Sequence, residues 1–107
     1  MQEIIYYQPQ EDLALAENIY RTAIDGLYYV RYQKFIDERG LFAQVLEPAR
    51  ITQQINPHFT IKQVNLSVSK TKVVRGIHAE NWNKLITVLS GRAQLVIADI
   101  RPHSITY

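Results

Sequence analysis

Downstream of Pro57 the sequence sets short runs of β-branched and aliphatic residues at even spacing: TIKQVNLSVS, KVVRGIHAE, KLITVLS and RAQLVIADI. Gly91 marks one of the turns between them and Pro102 closes the last run. Runs of this length bounded by turn signals read as strands, and several in succession predict an all-β sandwich or jelly roll. No window approaches the roughly 18 consecutive apolar residues that a membrane span needs. The start, MQEIIYYQPQEDL, also lacks a basic segment followed by a long apolar stretch. The sequence therefore predicts a cytoplasmic chain with no membrane partner.

Upstream, the pattern is more mixed. PQEDLALAENIY has Pro at an N1-like position, acids in a first turn, and Leu13, Ala16 and Tyr20 on one stripe, which predicts a short N-terminal helix to about Glu17. NIYRTAI then reads as a strand, Asp25-Gly26 as a turn, and LYYVRYQKFI as the clearest early strand. DERG breaks that run and LFAQVL resumes it. EPARITQQI predicts a second short helix near 47–55, ended by Pro57 in NPHF. No composition shift or repeat divides the 107 residues, so a single domain is expected.

Charge and cysteine content narrow the partners. The net charge is +2, with Lys and Arg scattered along the chain, which gives no basic face for nucleic acid. With no cysteine, disulfides and thiolate zinc sites are excluded. A histidine-based metal centre is not expected either. HAE offers His78 and Glu80 on one strand face, but no second His follows nearby, and His58 and His103 lie beside prolines.

The densest cluster of reactive side chains is VVRGIHAENWNK, residues 73–84. Taken one at a time, its members have ordinary explanations. A His in a strand can be a hydrogen-bonded structural residue, a Lys opening a strand discourages edge pairing, and DERG can be a solvated turn. Arg75 precedes His78 by three residues, so strict alternation puts them on opposite faces, and only a bend at Gly76 would bring both to one site. Gln63 and Asn65, two apart, share one face.

Read in order, FIDERGLF (35–42), QVNLSVSK (63–70), VVRGIHAE (73–80), KLITVLSGRAQLVIADIR (84–101) and the terminal SITY resemble the dTDP-4-dehydrorhamnose 3,5-epimerases, which are cupin-like jelly rolls. The resemblance covers roughly 22–107 and leaves 1–21 as an N-terminal extension. It implies an incomplete jelly roll that epimerises C3, C5 or both in a dTDP-linked 4-keto-6-deoxy sugar, without a cofactor. Removing a proton beside the ketone requires a base and a cation for the enolate oxygen. The resemblance assigns His78 and Lys84 to these roles, Arg39 to the diphosphate, and Arg75, Gln63, Asn65, Phe42 and Gln44 to substrate binding. Gln44 stands where the family usually has Glu, and RGIHAE replaces the commoner RGLHYQ.

Family chains are about twice as long. The tyrosine that donates a proton on the opposite sugar face, and the aspartate that orients the histidine, are expected in a region after Tyr107. Glu80 is the available stand-in for that aspartate. Half a jelly roll leaves strand edges open, so a homodimer formed by strand exchange is expected. Two other functions remain open on the sequence: a noncatalytic nucleotide-sugar binding module, and a structural or oligomerisation domain.

Overall fold

The structure is a computed structural model and describes residues 6–107. A 3-10 turn, Glu11–Leu13, leads into β1 (Ala14–Ala16), β2 (Ile19–Arg21) and β3 (Tyr28–Val30), which form an antiparallel sheet in the order β1-β2-β3. β4 (Lys34–Asp37) and β5 (Gly40–Ala43) make a separate antiparallel hairpin, followed by helix α1 (Pro48–Gln54). Small antiparallel strands with one helix make this the incomplete β-sandwich of a cupin-like fold.

Local chemistry explains most of the turns. Asn18, between β1 and β2, has φ +63°, a left-handed conformation that Asn tolerates better than most residues. The β2–β3 connection is organised by Thr22, whose hydroxyl accepts the Ile24 N–H at 3.2 Å and donates to the Leu27 carbonyl at 2.9 Å. Gly26 supplies the positive φ of +85° that this turn needs. In the second hairpin, Asp37 pairs with Gly40, so Glu38 and Arg39 form a two-residue loop. The Asp37 carboxylate accepts the Arg39 backbone N–H at 2.8 Å, the turn-forming bond that Asp makes two residues ahead.

Helix α1 begins at Pro48, where a missing N–H costs nothing. It ends with the N–H groups of Ile55 and Asn56 both donating to the Ile51 carbonyl. Asn56 then accepts the His58 N–H at 2.9 Å across Pro57, fixing the exit. The Arg50 guanidinium donates to the Glu17 carbonyl and so ties α1 to the β1–β2 turn. Among the described residues the buried core comprises Ile19 and Tyr20 of β2 and Ile51 of α1.

Two expectations upstream of Pro57 are revised. The helix predicted to Glu17 is only the 3-10 turn at Glu11–Leu13, and Ala14–Ala16 is a strand. Pairing with β2, including a register irregularity between Ala14 and Ala16, overrides the weak helical propensity of LALA. LYYVRYQKFI is not one strand. β3 pairs with β2 while β4 turns away to β5, and the break falls at 31–33.

The runs after Pro57 form no hydrogen-bonded ladder among the described residues, although the turns between them occur as expected, with positive φ at Lys72, Gly91 and His103. A strand needs a paired edge and a covered face. Here Val64, Leu66 and Val68, one face of a period-two pattern, are all at least 77% exposed. The accessible surface is 10298 Å², against roughly 6,100 Å² for a compact monomer of this mass. The radius of gyration is 15.7 Å, where about 13 Å is usual for this length. Among the described residues, no helix is long and apolar enough to cross a membrane.

Candidate active site

Gly76 has φ +112°, a backbone conformation open to glycine, and no hydrogen bond joins Arg75 to His78 among the described residues. A Cβ at position 76 would lie 3.3 Å from His78 Cδ2, so the imidazole rests against the bare glycine backbone. Arg75 is directed towards the preceding run. Its Nε donates to Ser69 Oγ at 2.8 Å and its Nη2 to the Val68 carbonyl at 3.3 Å. Ser69 was not singled out from sequence. Its partner lies six residues away across the turn at Lys72, and spacing alone gives no signal for such a contact.

Lys84 forms an ion pair with Glu80 across the turn that carries Trp82, and both side chains are partly exposed. Glu80 is therefore occupied by Lys84. No hydrogen bond joins Glu80 to His78 among the described residues, so the stand-in role predicted from their shared strand face is not the one the geometry displays. Lys84 also lines a cavity of about 440 Å³ together with Tyr28, Ile51, Phe59, Trp82 and Asn83. His78 is not part of that wall.

The remaining candidates form two further groups. The Gln63 side-chain amide donates to Asn65 Oδ1 at 3.1 Å, as two residues on one face can. In the β4–β5 hairpin, Arg39 is anchored on Asp37, with Nη2 2.7 Å and Nε 3.2 Å from Oδ2. The guanidinium's hydrogen bonds hold the Asp37 carboxyl below the usual carboxylate range, and the same bonds raise Arg39 above its ordinary value. Phe42 is cross-strand to Phe35, with ring centroids 6.3 Å apart, and Gln44 follows directly after β5. No hydrogen bond or shared cavity connects this hairpin to the His78 region among the described residues.

Sequence reasoning also missed a compact polar cluster near the C-terminal end. Asp99, its side chain 1% exposed, accepts Arg101 Nε at 2.8 Å and Nη2 at 2.9 Å, together with the hydroxyls of Ser104 at 2.5 Å and Thr106 at 2.6 Å. The Arg101 bonds, and after them the two hydroxyls, hold its carboxyl far below the usual range. Carboxylate, guanidinium and hydroxyls spaced two to seven residues apart can be read as a local turn lock, a pattern recognisable in DIRPHSIT.

A family model described as dTDP-4-dehydrorhamnose 3,5-epimerase matches residues 21–107, a span that contains every candidate side chain named above. The chain belongs to the dTDP-4-dehydrorhamnose 3,5-epimerase family. Named members are similar along most of this chain. The dTDP-4-dehydrorhamnose 3,5-epimerase of Streptomyces griseus is 32% identical over 89 residues, 79% of this chain and 44% of its own length. That of Methanothermobacter thermautotrophicus is 32% identical over 90 residues, 81% of this chain and 48% of its own. The Escherichia coli K12 epimerase is 28% identical over 94 residues, 84% and 51% respectively. The chain thus spans about half the length of the epimerases it matches. No solved structure matches it.

Proposed function

We propose that the chain carries the base-bearing half of a nucleotide-sugar epimerase site, acting at C3, C5 or both in a dTDP-linked 4-keto-6-deoxy sugar. The observation that carries this reading is the family match over residues 21–107, a span within which Arg39, Arg75, His78 and Lys84 all fall. His78 removes the proton beside the ketone, for which an imidazole's basicity suits neutral pH. Lys84 stabilises the enolate oxygen formed at C4. Arg39 holds the diphosphate through its planar fork of donors, and Arg75, Gln63, Asn65, Phe42 and Gln44 complete the binding surface.

In this reading 1–107 is one partial jelly-roll domain, with 1–21 as its extension, working in the cytoplasm where nucleotide sugars are handled. A homodimer formed by strand exchange brings the Arg39 hairpin of one protomer to the His78 region of its partner. The separation of these two groups within one chain supports that arrangement. It makes the partner a contributor to the site.

Incubation with a dTDP-4-keto-6-deoxy sugar in deuterated water tests the chemistry, because only proton abstraction places label beside the ketone. His78→Asn should abolish exchange while leaving dTDP affinity intact, and exchange that survives the substitution would remove His78 as the base. A noncatalytic binding module is the second reading. It is favoured by the absence of His78 from the wall of the cavity that Lys84 lines, which a site used only for binding can tolerate. Tight dTDP binding without exchange in the parent protein would establish it.

A further inference from the structure

We propose that Glu80 is a positioning residue for Lys84, holding the ammonium beside the cavity bounded by Tyr28, Phe59 and Trp82. This inference rests on the reading of Lys84 as the cation that meets a substrate carbonyl. Three observations point to it. The ion pair spans the turn of residues 80–84 as an i,i+4 contact, so the turn itself sets the two side chains against each other. Lys84 is the one candidate catalytic residue on the wall of the 440 Å³ cavity, a volume within the range of ligand sites. Glu80 makes no other hydrogen bond or ion pair among the described residues, and His78, the alternative partner on its strand face, is not bonded to it.

A lysine has four rotatable carbons, and an untethered ammonium samples many positions around the turn. Stabilising an enolate oxygen demands a donor already aimed at the place where charge develops. A carboxylate across the turn restricts that sampling without touching substrate. Tyr28, Asn56, Phe59, Trp82 and Asn83 line the same cavity. Glu80 thus selects which side of the turn the lysine serves.

The test uses the full chain and two independent readouts. Reductive ¹³C-methylation labels the lysines, and the Lys84 signal is identified by its loss in Lys84→Met. In Glu80→Gln the Lys84 signal should move towards the position of the exposed lysines, and Glu80→Asp should restore part of the difference. A Lys84 signal unchanged in Glu80→Gln would overturn the proposal whatever the enzyme does. The second readout is label exchange with the keto sugar. Glu80→Gln should lower kcat by up to about 10²-fold, the scale of a 1 Å misplacement, with KM little changed. Equal kcat in Glu80→Gln and parent would overturn it as well. Absence of exchange in the parent would defeat the epimerase reading alone, and the methyl signal would still decide whether Glu80 positions Lys84.

Discussion

At the scale of single residues, two arginines are held by acids close in sequence, and Arg75 is held by Ser69 and the Val68 carbonyl. Arg39 is held by Asp37 and Arg101 by Asp99, each two residues earlier. Such tethering orders a guanidinium before any ligand arrives. Arg39→Ala or Arg75→Ala should therefore weaken dTDP binding by on the order of tenfold to a hundredfold, as loss of charge-assisted hydrogen bonds does, whereas Lys70→Ala and Lys72→Ala should change it little. Isothermal titration distinguishes these outcomes, and equal losses at all four positions would indicate a diffuse surface. Asp99 carries a pH consequence. Its folded pKa is depressed, so its contribution is fully present above the unfolded value of about 4 and fades as pH falls towards the folded one. Protection of the 101–107 amides, relative to their intrinsic exchange at each pH, should fall on acidification below about pH 4, and Asp99→Asn should show that lower protection already at neutral pH.

At the scale of elements, stability divides unevenly along the chain. Ile19 is fully buried in β2 and Ile51 nearly so in α1, and Ile19→Ala should cost roughly 3 kcal/mol, within the usual range for a core isoleucine. Leu66→Ala should cost far less in the isolated chain, because most of that side chain is already in water. Urea titrations of the two variants compare them directly. The elements that could be read from sequence were those whose cause is local. Pro48 and Pro57 bound the helix, Asp25-Gly26 marks one turn, and DERG marks another. What could not be read was which strands find a partner. LALA pairs with β2 despite a helical stripe, and QVNLSVS has clean alternation but no ladder, because pairing depends on surfaces distant in sequence. The candidate site divides in the same way. The Gln63–Asn65 contact follows from spacing, while Ser69 with Arg75 and Glu80 with Lys84 depend on how the turns fold back.

At the scale of the whole molecule, the accessible surface exceeds that of a compact chain of this mass by about 4,000 Å². Stable interfaces bury about 800 Å² on each partner, so this excess is ample for association. Sedimentation velocity should show a weight-average mass that rises with protein concentration, and a folded monomer independent of concentration would contradict this. Circular dichroism should show little helix, since α1 contributes seven residues. The open Val64, Leu66 and Val68 face also has a consequence inside a cell. An uncovered alternating apolar segment is what holdase chaperones grip and proteases cut, so the steady-state level of this polypeptide becomes a race between capture by quality control and burial of that face.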